Sequence, residues 1–112
     1  MPGPLDGIRI VDLSVALTGP LAAGMLVDQG ADCIKVEQAP DGDVVRWLGS
    51  TVGGISAMFQ VANRGKRSLV LDLRQAEGQA ILGDLISEAD VLVQNFRPGV
   101  AERLGITYDE VA

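Results

Sequence analysis

Short apolar runs separated by helical segments limit the fold of this chain more than any other feature of its sequence. Four runs have the length and apolar pattern of strands that are buried on at least one face: residues 8–14, 32–38, 67–73 and 90–95. A helix between two strands is long enough for a right-handed crossover, which makes the two strands parallel neighbours. We therefore expect a parallel sheet.

The segments between these strands have helical spacing. One helix is predicted to begin near Pro20, which suits a first turn, and to end at Gly30. A second, over residues 75–89, is amphipathic, with an apolar stripe made of Ala80, Ile81, Leu85 and Ile86. Residues 55–63 predict one further short helix. Strands alternating with helices indicate an α/β fold, a Rossmann-like parallel sheet with flanking helices.

A long segment, residues 39–54, separates the second and third predicted strands. It is rich in Pro, Gly, Asp and Ser around Trp47, and loops of this length usually carry function or cover another part of the protein. Asp41 and Asp43 are expected to be exposed in this loop.

Polar residues beside the predicted strands have mostly structural interpretations. Asp12 and Asp72 lie inside strand patterns and are expected to be partly buried structural acids. The basic sequence NRGKRS, residues 63–68, precedes its strand and is expected to be a solvated turn at the amino end of the sheet. Cys33 is expected to be a buried structural thiol, because the chain has no histidine to activate it.

The sequence of the last residues predicts the start of a helix. Thr107 is followed three residues later by Glu110, which forms a capping-box pattern. Only about one helical turn follows, too little to be stable alone. We expect residues 1–112 to form one incomplete domain, a truncated part of a larger fold, with a frayed tail as the alternative.

Composition excludes two classes of partner. Fifteen acidic residues outnumber nine basic ones, for a net charge of −6, which argues against nucleic acid. No apolar stretch approaches the roughly twenty residues of a membrane helix. A single cysteine fits a reducing cytoplasm.

The carboxyl ends of parallel strands are the expected ligand edge. Arg74, Arg97 and Arg103 follow the third and fourth strands and could converge on one anionic ligand. Each could instead be solvated or paired with a helix-surface acid such as Glu77 or Glu102. The N–H groups of residues 16–18 could receive a polar ligand without a particular side chain. The sequence has neither of the two nucleotide-binding motifs, G-x-x-x-x-G followed by Lys and Ser/Thr, or G-x-G-x-x-G. No set of catalytic residues is recognisable.

Four ordered motifs make the chain similar to a known family. They are PLDGIRIVDLS, GPLAAGMLVDQGADCIKVEQ, NRGKRSLVLDLR and ADVLVQNFRPGVAERLG. Together they resemble the N-terminal portion of the class III CoA transferases, the family of formyl-CoA transferases, carnitine CoA-transferases and α-methylacyl-CoA racemases. The resemblance implies a coenzyme-A-binding segment of a larger fold whose subunits interlock as a homodimer.

The resemblance also implies which residues contact coenzyme A. Ala16 and Leu17 would lie beside the thioester end, residues 71–74 and 95–97 would line the nucleotide, and Arg103 would meet a phosphate. Gln38 stands where formyl-CoA transferase has an arginine, so that contact is weakened or supplied differently. Leu71 and Phe96 could offer apolar surface to the adenine. The implied contacts are Ala16, Leu17, Gln38, Leu71, Arg74, Asn95, Phe96, Arg97 and Arg103.

The implied reaction is transfer of CoA from an acyl-CoA to a carboxylic acid, with coenzyme A as substrate and no tightly bound cofactor. Transferases use an aspartate, and racemases a His and Asp pair, that the resemblance places after residue 112, so we expect no catalytic residue here. The long loop before NRGKRSLVLDLR favours a transferase. A racemase segment and a non-catalytic CoA-binding fragment remain as alternatives.

Overall fold

The structure, a computed structural model that describes residues 3–112, alternates strands and helices. In chain order the elements are β1 (Arg9–Asp12), α1 (Thr18–Asp28), β2 (Asp32–Gln38), a 3₁₀ helix (Val44–Trp47), β3 (Thr51–Val52), β4 (Ile55–Ser56), α2 (Ala57–Asn63), β5 (Arg67–Leu71), α3 (Ala76–Ser87), β6 (Val91–Val93), α4 (Val100–Leu104) and α5 (Tyr108–Val111).

Four of these strands form one parallel sheet in the order β5-β2-β1-β6. Ile10 of β1 lies opposite Cys33 of β2 on one side and Val91 of β6 on the other. The chain moves outward from β1 through β2 to β5 and then returns to the opposite side of β1. The predicted α/β fold, a Rossmann-like parallel sheet with flanking helices, is confirmed, and the strand order reverses between β1 and β6.

The two faces of the sheet carry separate apolar clusters. Side chains alternate along β1, so Val11 belongs to a cluster packed against α3, α4 and α5, whereas Ile10 belongs to one packed against α1. Cys33 lies in the smaller cluster, where burial raises the pKa of its thiol to about 11. This agrees with the predicted structural thiol. No helix within residues 3–112 has both the length and the apolar character to cross a membrane.

Strand β2 has the predicted bounds, but β1, β5 and β6 are shorter than predicted. Asp12 is the last residue of β1, and Asp72 directly follows β5. Asp12 Oδ1 accepts the N–H of Ser14 at 2.9 Å, and Asp72 Oδ1 accepts the N–H of Arg74 at 3.0 Å. These side-chain bonds engage the backbone just past each aspartate, in competition with the strand ladder.

The segment predicted as a long loop contains regular structure. It forms the 3₁₀ helix and then a hairpin, in which β3 pairs with β4 in antiparallel register. Because β4 takes the first two residues of the predicted 55–63 helix, α2 begins only at Ala57, with Ser56 Oγ accepting the N–H of Phe59 at 3.3 Å. The predicted capping box at Thr107 and Glu110 is present at the start of α5.

Helix α3 packs with a face that only partly matches the predicted stripe. Leu82 is 2% exposed and Gly78 is buried, whereas Ile81 of the predicted stripe is 45% exposed. Leu85 and Ile86 of the stripe do pack against the core, while Ala80 is exposed. The reason is a close approach, since a Cβ on Gly78 would lie 2.1 Å from the carbonyl oxygen of Asp72. That contact sets the rotation of the helix.

Two glycines of α3 therefore respond differently to alanine. Gly78→Ala should lower the free energy of unfolding by about 1–3 kcal/mol, because the new methyl group meets a backbone carbonyl. Gly83→Ala meets nothing within 4 Å and should raise it by about 0.5–1 kcal/mol through helix propensity. Denaturant unfolding of both variants measures this, and a stabilising Gly78→Ala would contradict the close approach.

Candidate functional site

The loops that follow β1 and β6 meet at the carboxyl edge of the sheet; we call residues 13–17 the β1 loop and 94–99 the β6 loop. The helix after β1 packs on one face and the helix after β6 on the other, so the chain paths diverge at this edge. Asn95 bridges the two loops. Its Oδ1 accepts the N–H of Val15 at 2.9 Å, and its Nδ2 donates to the C=O of Val15 at 2.8 Å.

Asp12 anchors the start of the β1 loop from the end of β1, where it is fully buried. Its Oδ1 accepts both the N–H and the hydroxyl of Ser14, and its Oδ2 lies 2.7 Å from Lys66 Nζ. Lys66 Nζ also donates to the C=O of Pro20 at 2.8 Å and to Asn63 Oδ1 at 2.9 Å. The prediction of a buried Asp12 is confirmed. The prediction of a solvated basic turn is wrong for Lys66, whose side chain is 1% exposed.

Asp43 is buried, contrary to the prediction that the long loop exposes it. Its Oδ1 accepts the N–H groups of Ala16 at 3.1 Å and Val45 at 3.0 Å. Its Oδ2 lies 2.8 Å from Lys35 Nζ, in an ion pair without hydrogen-bond angles. Lys35 Nζ donates instead to the C=O of Ser14 at 3.1 Å. This pair ties the β1 loop to β2 and to the 3₁₀ helix.

Glu37 of β2 holds the segment between β2 and β3, the segment that contains Asp43. Its carboxylate accepts Arg46 Nε at 2.7 Å, Arg46 Nη2 at 2.8 Å, the N–H of Asp43 at 2.9 Å and the hydroxyl of Ser68. The Arg46 guanidinium also stacks 3.8 Å from the ring centroid of Phe59. Burial raises the pKa of Glu37, but the hydrogen bonds from Arg46, Ser68 and the Asp43 N–H outweigh it and lower the pKa to about 2.

These ion pairs form what we call the buried ionic network: Lys66–Asp12, Lys35–Asp43 and Arg46–Glu37. Three acids face three bases, so the charges balance. Five of the six side chains are at most 1% exposed, and Arg46 is 37% exposed. Balanced pairing is what makes this much buried charge tolerable.

The sequence model of CoA-transferase family III matches residues 5–112. The chain belongs to CoA-transferase family III. The resemblance expected from the four motifs is thereby confirmed.

Similar proteins are considerably longer than this chain. Acetyl-CoA:oxalate CoA-transferase of Acetobacter aceti is 46% identical over 110 residues, covering 98% of this chain and 28% of the relative. Formyl-CoA:oxalate CoA-transferase of Rhodopseudomonas palustris (strain HaA2) is 39% identical, covering 99% and 26%. A crystal structure of a CAIB/BAIF family protein from Brucella suis superposes with a TM-score of 0.91 at 40% identity, covering 99% and 30%. The chain spans less than a third of each.

The coenzyme contacts implied by the family resemblance mostly follow strand ends. Gln38 and Leu71 are register partners at the ends of β2 and β5, and Ala16 is joined to Asn95 through Val15. Leu71 is only 7% exposed, which contradicts the expectation that its side chain offers surface to adenine. Phe96 is half-buried and packs on the larger apolar cluster, while Leu17 is exposed.

The three arginines of this family member differ in their internal partners. Arg74 is paired with Asp72 through Nε at 2.9 Å and Nη2 at 3.2 Å. The alternative that this arginine pairs with an acid therefore holds, although the acid is Asp72 and not a helix-surface glutamate. This pairing also lowers the pKa of Asp72 through the side-chain hydrogen bond. Arg103 Nε donates to the C=O of Gly99 at 3.3 Å. Arg97 is exposed and has no side-chain partner within residues 3–112. Their convergence on one ligand stays a prediction.

The backbone N–H groups of the β1 loop are largely occupied. Ala16 has a positive φ of 67°, and its N–H already bonds Asp43, so the expectation that it is available to a ligand is wrong. Within residues 3–112, the N–H groups of Leu17 and Thr18 donate to no acceptor. These two remain available.

The larger cavities in the described part of the chain lie away from the implied contacts. One of about 640 Å³ opens beside Arg46 and Phe59, and one of about 420 Å³ lies between α3, β6 and α5. None of the nine implied coenzyme contacts lines either cavity.

Sequence reasoning missed the buried ionic network, although one signal for it was present. Lys35 and Glu37 alternate with apolar residues in CIKVEQ and so share one face of a strand. Two opposite charges on one face of a central strand require buried partners. Asp43 and Arg46, which supply them, come from the segment that composition marks as a loop.

Glu37 predicts a specific pH dependence of stability. Its folded pKa of about 2 lies below the ordinary value of 4.5, so its stabilising contribution is present above pH 4.5 and is lost as the pH falls through about 2. Between pH 5 and 2 the wild-type protein should lose roughly 2 to 3 kcal/mol more of its unfolding free energy than Glu37→Gln does. Glu88→Gln, on an exposed side chain, is the control and should keep the wild-type slope. Equal slopes for wild type and Glu37→Gln would refute the assignment.

Proposed function

We propose that this chain forms the coenzyme-A-binding part of an enzyme that transfers CoA from an acyl-CoA to a carboxylic acid. The observation that carries the proposal is the family match over residues 5–112, which includes the loops at the β1–β6 reversal. Open parallel sheets bind ligands at such a reversal. The residue that carries the acyl group is expected outside residues 1–112, and a cytoplasmic homodimer belongs to the same proposal.

In this proposal the ligand extends along the carboxyl edge of the sheet. The thioester end lies at Ala16 and Leu17, where two unoccupied N–H groups offer hydrogen bonds. The phosphates lie toward Arg97, whose guanidinium is exposed and has no hydrogen-bond or ion-pair partner among the described residues. It can bind phosphate oxygens bidentately. Asn95 has its amide engaged by Val15, so it acts mainly by holding the edge in shape.

The remaining contacts have more limited roles. Arg74 would have to share its guanidinium with Asp72, and Arg103 would have to release or share its bond to Gly99. The Leu71 side chain is buried and its C=O already accepts the N–H of Ala39 at 3.0 Å, whereas Phe96 is only half-buried. Gln38 supplies a neutral amide at the end of β2 in place of a charge.

Transfer of CoA is favoured over racemisation by the names of the relatives. The Acetobacter aceti and Rhodopseudomonas palustris proteins are both called CoA-transferases, at 46% and 39% identity. The direct test incubates the protein that contains this sequence with an acyl-CoA and a second, labelled carboxylate. Label appearing in a new CoA thioester supports transfer. Exchange of the α proton with deuterium in the absence of an acceptor would replace transfer by racemisation.

Removal of the phosphate-binding arginines should weaken coenzyme A selectively. Arg97→Ala and Arg103→Ala should each reduce CoA affinity by roughly 1 to 3 kcal/mol, measured by isothermal titration. Arg97→Ala should leave the unfolding free energy nearly unchanged, because no internal carboxylate within residues 3–112 loses its partner.

The matched control is Arg67→Ala, which removes an exposed arginine paired with Asp32 at 2.7 Å near the amino end of β5. It should leave CoA affinity unchanged. Unaltered affinity in both Arg97→Ala and Arg103→Ala would rule out their assignment to phosphates.

A further inference from the structure

The β1 loop is held in place by side chains from three different parts of the chain. Asp12 binds the N–H of Ser14, Asn95 binds both backbone groups of Val15, and Asp43 binds the N–H of Ala16. Asp12 ends β1 and Asn95 lies in the β6 loop, so both belong to the edge itself. Asp43 comes from outside it, from the segment between β2 and β3.

Ala16 is the residue of this loop that most needs to be held. Its φ of 67° is the one positive φ at a non-glycine residue within residues 3–112. An L-residue in this region is disfavoured and persists only where the surroundings determine it. The bond from the Ala16 N–H to Asp43 Oδ1, at 3.1 Å, is the side-chain contact that does so.

Stability alone does not explain why the pair behind this bond is charged. Asp43 and Lys35 are both at most 1% exposed, and a well-packed apolar pair is often as stable as a buried ion pair. An apolar pair, however, accepts no hydrogen bond from Ala16 or Val45 and donates none to the C=O of Ser14. What the ion pair adds is therefore the conformation of the β1 loop.

We propose that Asp43 is a positioning residue that sets the β1 loop for the thioester end of coenzyme A. Its carboxylate, compensated by Lys35, keeps Ala16 left-handed and so aims the N–H groups of Leu17 and Thr18, which have no internal acceptor within residues 3–112. The inference rests on the proposed function, since it takes the β1 loop as the place where that end binds.

Two double variants test this in the protein that contains this sequence. Lys35→Met with Asp43→Asn removes both charges but keeps an oxygen that can accept the Ala16 N–H. Lys35→Met with Asp43→Leu keeps the branching at Cγ but accepts nothing. Without ligand, amide hydrogen exchange at Ala16 should be about tenfold faster in the leucine form. Its affinity for CoA should be about tenfold lower than that of the asparagine form.

A second ligand separates positioning from general damage. Adenosine 3′,5′-bisphosphate lacks the thioester arm, so both forms should bind it equally. The proposal would be overturned if the leucine form lost affinity equally for this nucleotide and for CoA. It would also be overturned if the two forms had equal CoA affinity or equal amide exchange rates at Ala16. If the leucine form does not fold, Lys35→Met with Asp43→Ala takes its place under the same expectations. A wild-type protein that binds no CoA would refute the proposed function, and exchange at Ala16 would still decide whether Asp43 holds the loop.

Discussion

The ion pair between Lys35 and Asp43 is the interaction on which the carboxyl edge of this protein depends. It joins a central strand to the segment that follows that strand, outside the sheet, and its two side chains hold Ser14 and Ala16 of the β1 loop. The neighbouring pairs repeat the pattern. Lys66 compensates Asp12 beneath the start of that loop, and Arg46 compensates Glu37 while stacking on Phe59.

Charge balance explains why such a network can exist in a chain of this size. An unpaired buried charge costs several kcal/mol, so each acid in the network needs its base and each base its acid. The loss of any one member would leave an uncompensated partner behind. The β1 loop at the edge between β1 and β6 is therefore held by hydrogen bonds to charged groups as well as by apolar contacts.

Much of the fold could be predicted from sequence, because it depends on local patterns. Strand β2 has its predicted bounds, and the capping box at Thr107 is present. The rotation of α3 could not be predicted, because it follows from the contact of Gly78 with the Asp72 carbonyl. Of the implied coenzyme contacts, the arginines keep the exposure that sequence suggests, whereas Leu71 is buried in the core, where strand packing placed it.

Sequence alone determined the family, the parallel α/β class and the segments that follow each strand, since motif order and hydrophobic period are properties of the chain itself. The fold itself was needed to show that Asp43 is buried rather than exposed, that Lys66 reaches Asp12, and that the Arg97 side chain has no partner among residues 3–112. The physical reason is that folding pairs these residues, whereas no local sequence pattern does. A charged side chain in a polar loop looks solvated until folding places an opposite charge, 8 or 54 residues away in sequence, within an ion-pair distance of 2.8 or 2.7 Å.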